Sequence, residues 1–324
     1  MPSAASFLAA AIPMVIYLLL LWKMDKYDRE PLGFVIGHFL WGAIGAIIFA
    51  IIGSQFVVNI FQIFVTDYES LNLFGAVLIA PFVEEITKGI FLVGTVANKK
   101  FDNITDGLVY GGAIGLGFGM TENFLYFDTY SQNFESWIFL VIIRSAFTAV
   151  MHAIATGTFG AFLGMSKFSN SPNKRIMPFI GLFFAMTLHG LWNLSVSFQD
   201  SAYYGLLFMI VVIIVFIIVF AKSIRKEREI IKKELSEEVN NGIIPVEHLD
   251  ILSSAKRNRA GWIDEKIRKI YIKLATKLAF RELQYNSTTG KKQEFYFKDA
   301  ELCRIEIKKL LDNQNNEVTK QTEV

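Results

Sequence analysis

The chain has 324 residues, 53% of them hydrophobic, with 30 phenylalanines and a mean hydropathy of +0.40, which is more apolar than a soluble globular domain of this length. The formal net charge of +2 is too small to point to a nucleic-acid partner. Cys303 is the only cysteine, which excludes disulfides within the chain and thiolate metal clusters, so any metal site must be built from histidine and carboxylates.

Apolar runs long enough to cross a bilayer, at roughly 20 residues each, fall at 5–22, 34–64, 73–98, 105–127, 137–164, 177–199 and 202–221. They predict an all-α polytopic membrane protein with about seven transmembrane helices over 1–221, followed by a charged helical tail over 222–324. The first run lacks a basic leader and is followed at once by Lys23, Lys26 and Arg29, so it reads as an uncleaved span with the amino terminus outside. The second run is long enough for a strongly tilted helix or for a span plus an interfacial segment.

Loop charges favour seven crossings. One side then carries Lys23, Lys26 and Arg29, Lys99 and Lys100, and Lys167, Lys174 and Arg175, together with the basic start of the tail. The opposite loops, 66–70, 128–136 and 199–201, hold no Lys or Arg. The positive-inside rule puts the tail in the cytoplasm and the chain in the cell membrane.

The fourth run contains Gly107, Gly111, Gly112, Gly115, Gly117 and Gly119. Gly111 and Gly115 form a small-xxx-small face for close helix packing. Gly115 to Gly119 is not a nucleotide loop, because no strand precedes it.

After residue 221 lie 22 of the 32 Lys and Arg and 17 of the 30 Asp and Glu, a surplus of five positive charges. Such a surplus suits an anionic leaflet, an ordinary solvated helical surface or a cytoplasmic partner. Helical patterns cover about 222–239, 262–284 and 298–312, with breaks at Asn240-Asn241-Gly242 and Asn286–Gly290. The spacing of Ile263, Ile267, Ile270 and Leu274 predicts one buried helix face, and the last dozen residues are expected to be disordered.

Within the apolar runs stand Glu84, Glu85, Lys88, Asp106, Glu122, Arg144, His152, His189 and Asn193. An ionised side chain at mid-bilayer costs at least about 2.5 kcal/mol, so these groups need partners inside the protein. Asp106, near a run's end, suits a helix cap as well as a functional role, and Arg144 suits a carboxylate partner. At about 1.5 Å per residue from the outer end of each span, Glu122 and Asn193 fall near 8 or 9 Å. On the same scale Glu84 and His189 fall near 15 Å and Lys88 and His152 near 22 Å, consistent with one polar site.

Glu84 and Lys88, His152 and Thr156, and His189 and Asn193 are each four apart, so each pair shares a helix face. Glu85 points about 100° away from Glu84. Thr156 is placed to hold the His152 ring, and Trp192 to form an apolar wall. Two imidazoles and a carboxylate make a catalytic zinc set, and a further carboxylate can take a proton from water. Which glutamate acts as base stays open at this level.

Glu84-Glu85-x-x-Lys88, Phe118-Gly-Met-Thr-Glu122-Asn123 with Tyr126, His152-x-x-x-Thr156 and His189-x-x-Trp192-Asn193, in this order on separate runs, resemble the PrsW family of intramembrane proteases. That family is related to the CAAX prenyl endopeptidases, from whose motifs the chain departs with Lys88 in place of arginine and Glu122 in place of histidine. The resemblance covers residues 5–221. It implies that Glu84 or Glu85 activates water, Lys88 supports that pair, and His152, His189, Asn193 and Glu122 bind a metal or the oxyanion. The metal would be zinc; a metal-free glutamate mechanism is the alternative, with histidine and Asn193 holding the oxyanion. The implied substrate is a membrane-anchored protein of the anti-sigma-factor class, cut near the outer half of the bilayer. Rival readings are an ion-coupled transporter or channel and a non-catalytic scaffold.

Overall fold

The computed structural model describes residues 2–98, 101, 103–167, 169 and 172–322, with side chains to residue 314. Lys99 and Lys100, which enter the loop-charge argument, lie outside the described residues. Among the described residues every regular element is helical. They form two compact units divided after Ala221, with Lys26–Asp28 grouped with the second.

The first unit begins with α1 (Ser3–Met24) and α2 (Leu32–Leu40), which passes through a π-helical segment (Trp41–Ala46) into α3 (Ile47–Phe61). The long second apolar run is thus one continuous rod, Leu32–Phe61. Next comes α4 (Tyr68–Phe74), capped by the Asp67 carboxylate accepting from the Ser70 amide; it continues through a second π segment (Gly75–Ile79) into α5 (Ala80–Val96).

Helix α6 (Ile104–Thr129) opens with a capping box in which the Asn103 side chain accepts from the Asp106 amide and the Asp106 side chain from the Asn103 amide. Asp106 is therefore the N3 half of the cap, with Asn103 at the N-cap. The bundle continues with α7 (Phe134–Ile143), a third π segment (Arg144–Thr148) and α8 (Ala149–Lys167). It ends with α9 (Met177–Val196) and α10 (Ala202–Asn240), whose polar half belongs to the second unit.

Five rods are long and apolar enough to cross a membrane: Ser3–Met24, Leu32–Phe61, Phe134–Lys167, Met177–Val196 and Gln199–Asn240. The other two helical rods of this unit, α4–α5 and α6, carry Glu84, Glu85 and Lys88, and Asp106 and Glu122. Helix α6 is buried almost all round and packs against α8, α1 and α2, as expected of a central helix. Gly111 and Gly115 explain how closely it does so: a Cβ at either position would lie 2.3 Å from the Thr156 carbonyl oxygen or 2.2 Å from that of His152. Large apolar side chains such as Phe49, Ile52, Phe82 and Ile214 face outward, while Glu85, Lys88, His152 and His189 are buried. This inversion is that of a bundle solvated by lipid.

In the second unit, the polar half of α10 packs with α11 (Val246–Leu252), α12 (Glu265–Asn286) and α13 (Lys291–Thr322) around Ile231, Leu235, Tyr271, Leu278, Phe280 and Ile307. Ile263 is buried, Ile267 and Leu274 pack against this core, and Ile270 is exposed, so only part of the predicted stripe faces inward. Arg304 ties α13 back to α10 and α12 through ion pairs with Glu238 and Glu282, and also pairs with Glu301 on its own helix. Helix α13 runs to Thr322, and residues 323–324 of the stretch expected to be disordered lie outside the described residues.

Candidate active site

The centre of the first unit is organised by Glu85. Its Oε1 accepts from Lys88 Nζ at 2.8 Å and lies 3.0 Å from His189 Nδ1, while Oε2 accepts from Thr156 Oγ1 at 2.9 Å. Thr156 therefore serves this carboxylate, and the expected contact to the His152 ring is replaced by it. Lys88 is fully buried. Its ammonium is closer to Glu85 than to Glu84, whose Oε2 is 3.5 Å away, and it also reaches His152 Nδ1 at 3.0 Å. The Phe118 ring lies 4.0 Å from the ammonium and closes the remaining side with its π face.

The two histidines meet edge to face with ring centroids 4.8 Å apart. Each has its Nδ1 engaged on the inner side, His152 by Lys88 and His189 by Glu85. That leaves the two Nε2 atoms turned toward other carboxylates. His152 Nε2 is 2.8 Å from Glu122 Oε2, and His189 Nε2 is 3.8 Å from Glu84 Oε2. Outer partners on Nδ1 that free Nε2 for a ligand are a recurrent feature of metal-binding histidines.

Glu84, His152 and His189 each offer a ligand atom within 4.8 Å of the others, and Glu122 lies outside this mutually close set. Glu84 Oε2 is buried without a hydrogen bond, and its one ion-pair partner among the described lysines and arginines is the Lys88 ammonium at 3.5 Å, which is engaged more closely by Glu85. A buried carboxylate oxygen lacking a donor is costly unless a cation approaches it. The donor set of two imidazoles and a carboxylate therefore fits a divalent metal ion.

Glu122 is held from another direction. Arg144 Nη2 lies 2.9 Å from its Oε2, Arg144 Nε donates to Asn123 Oδ1 at 3.1 Å, and the guanidinium stacks 3.5 Å above the Tyr126 ring. Arg144 opens the π segment before α8, on the same rod as His152. With 20% of its side chain exposed, Glu122 is more open than Glu84 at 13% or Glu85 at 1%.

Asn193 is not drawn into this cluster. Its side-chain nitrogen donates to the Ala76 carbonyl at 2.9 Å, in the π segment before α5. The cause is the π register of that segment: the Ala80 amide bonds the Gly75 carbonyl, so the donor due to the Ala76 carbonyl would be that of Pro81, which has no N–H, and α9 approaches this stretch closely. A Cβ on Gly190 would come within 2.8 Å of the Val77 oxygen. Asn193 and Gly190 thus seat α9 on the irregular backbone that precedes Glu84. Trp192, predicted to be an apolar wall, is fully buried and stacks on Phe147.

The sequence reading passed over Phe118 as a cation partner, although it stands four residues before Glu122 on the same helix. It also left out His38, which is buried between the Phe34 carbonyl and Thr95 Oγ1 and stacks on Tyr110, apart from the other histidines. No polar residue at helical spacing marks His38, and its contacts are those of a packed core histidine.

A helical bundle with an apolar exterior and a buried set of carboxylates, imidazoles and one ammonium has the donor and base groups of an intramembrane hydrolase. The profile of the PrsW family of intramembrane metalloproteases matches residues 30–221. The chain belongs to this family and is an intramembrane protease and an integral membrane protein. It is 27% identical over 219 residues to Protease PrsW of Clostridioides difficile (strain 630), covering 67% of this chain and 87% of that one. It is 26% identical over 204 residues to Protease PrsW of Bacillus subtilis (strain 168), covering 62% and 88%. For Protease PrsW of Geobacillus kaustophilus (strain HTA426) the values are 28% over 203 residues, 62% and 84%. No solved structure matches the chain.

Proposed function

We propose that the chain hydrolyses a peptide bond of a membrane-anchored protein at the Glu84–Glu122–His152–His189 cluster. Glu84, His152 and His189 would hold a divalent metal, zinc by the donor set, and Glu122 acts as general base. The observation that carries this reading is the division of labour among the carboxylates: Glu85 is fully occupied by Lys88, His189 and Thr156, Glu84 has an oxygen without a hydrogen bond beside both imidazoles, and Glu122 is the most open of the three.

A bound zinc supplies Lewis acidity that makes water a nucleophile at neutral pH. The protein's own groups do the rest. Glu122 takes the proton of the attacking water and passes it to the leaving amine, and Arg144 orients its carboxylate for both transfers. Glu85 and Lys88 lock the imidazoles so that Nε2 faces the reaction. Asn193 positions α5 by holding Ala76 and does not touch the reacting atoms.

In this reading α4–α5 and α6 also cross the bilayer, giving seven crossings, with the amino terminus outside and the tail cytoplasmic. The buried partners of their charges, which remove the cost of placing them in hydrocarbon, and the alternation of loop charge support that topology. Family resemblance supports an anti-sigma-factor-like substrate, and the tail is left for a cytoplasmic partner.

The test is cleavage of a membrane-anchored reporter by protein purified in detergent, with metal content measured in parallel. Glu122→Gln should lose at least about 100-fold in kcat while retaining its metal; Glu84→Gln and His189→Ala should lose both. Undiminished cleavage by metal-free protein would replace this reading with the glutamate mechanism. Wild-type cleavage by Glu122→Gln would remove the base assigned here.

A further inference from the structure

The polar half of α10 sorts its charges by sign. Glu227, Glu234 and Glu238 are buried, whereas Lys222, Arg225, Lys226, Arg228, Lys232 and Lys233 are exposed; between 222 and 233 the one exposed acid is Glu229. The cations differ among themselves in a second respect. Lys232 and Lys233 are paired, with Asp250 and Glu234, as are Lys277, Arg281, Lys298 and Arg304 elsewhere in this unit. Lys222, Arg225, Lys226 and Arg228 have no ion pair among the described residues.

These four stand in the first two turns beyond Ala221. Helix α10 is unbroken from Ala202 to Asn240, so at 1.5 Å per residue they lie about 2 to 10 Å past the apolar stretch. The headgroup layer on each face of a bilayer is roughly 5 to 7 Å deep. Arg225, Arg228, Glu229 and Lys232 also line a recess of about 290 Å³. Four unpaired cations at this depth, against the single exposed acid Glu229, leave a net positive surface that complements phosphate-bearing headgroups.

We infer that Lys222, Arg225, Lys226 and Arg228 form a docking surface for anionic phospholipid headgroups, which fixes the height of α10 in the bilayer. The inference rests on α10 leaving the membrane near Ala221. It does not depend on the roles given to the buried site or on which leaflet the tail faces.

The experiment uses the full chain in detergent and measures retention of phosphatidylglycerol against phosphatidylcholine by native mass spectrometry. A Lys222→Gln/Arg225→Gln/Lys226→Gln/Arg228→Gln variant is compared with a Lys291→Gln/Lys292→Gln/Lys308→Gln/Lys309→Gln variant, which removes the same charge from exposed positions on α13. Each cation beside an anionic surface contributes about 1 kcal/mol, or roughly fivefold. The first variant should therefore lose at least about tenfold in preference for the anionic lipid and the second should keep it. Equal retention by both variants, an equal loss in both, or displacement of the lipid by millimolar inorganic phosphate would overturn the assignment. Circular dichroism of both variants checks the fold. Cleavage of a detergent-solubilised reporter, expected to be unchanged, separates this outcome from any failure of the protease mechanism.

Discussion

Replacing Gly115 by alanine adds one methyl group at the point where α6 and α8 touch. Its Cβ would stand 2.2 Å from the His152 carbonyl oxygen and 2.6 Å from the Ala153 Cα. An ordinary carbon-to-carbonyl-oxygen contact is about 3.3 Å or longer, so α8 must retreat by about 1 Å, and the atoms in the way are backbone that cannot rotate aside. Overpacking of this kind costs about 1–3 kcal/mol, partly offset by the roughly 1 kcal/mol that alanine gains over glycine in a helix. The catalytic consequence is larger. His152 rides on the displaced backbone, and its contacts of 2.8 Å to Glu122 and 3.0 Å to Lys88 stretch beyond hydrogen-bond range. A misplacement of about 1 Å is worth on the order of 100-fold in rate. The assay is kcat/KM on a detergent-solubilised membrane-anchored reporter, with thermal unfolding measured on the same preparations. Gly37→Ala is the control, because nothing lies within 4 Å of its Cβ and the helix-propensity gain is the same. Gly115→Ala protein that cleaves within threefold of wild type with an unchanged Tm would refute the claim that this contact sets the site.

Glu85→Gln should destabilise the bundle by about 3–5 kcal/mol, because it leaves the buried Lys88 ammonium without its nearest carboxylate; thermal unfolding and loss of metal report it. Arg304→Ala should weaken the second unit by a similar 3–5 kcal/mol, since Glu238 is 1% exposed and would be left buried without its cation; hydrogen exchange should rise in α12 and α13 and leave α6 unchanged. Burial lowers the pKa of His248 from its usual 6.5. The unfolded chain then binds more protons than the folded one just below pH 6.5, so stability is complete above that pH and falls as the pH drops toward the folded value. Protection of α11 amides, relative to their intrinsic exchange rates, should fall over this window, and His248→Gln should flatten the dependence.

Hydropathy was enough to delimit the apolar runs, because twenty consecutive side chains facing lipid leave a signal that no tertiary contact is needed to decode. The same rule marked Glu84, Glu85, Lys88, Glu122, Arg144, His152 and His189, since charge and imidazole inside hydrocarbon require internal partners. Periodicity went less far in the tail: Ile270 lies on the predicted stripe and is exposed, because the neighbouring helices cover only part of that face. Capping was legible only as one of two options at Asp106, and the helix start supplied the choice.

Partner choice within the cluster needed the fold. Spacing of four pairs Glu84 with Lys88, and that ion pair is present at 3.5 Å, but the ammonium sits closer to Glu85 at i+3, where it also reaches His152 on another helix. Spacing also aimed Thr156 at His152 and Asn193 at a shared centre with His189; the packing sends Thr156 to Glu85 and Asn193 to the Ala76 carbonyl beside the Pro81 break. The amino-acid sequence by itself determines a helical membrane protein and which polar residues must be sheltered, since transfer of each side chain between water and lipid is a local property. Which carboxylate is saturated, which has an oxygen without a hydrogen bond and which is the most open depends on helix rotation and on contacts between residues up to 104 positions apart, and only the packed bundle decides it.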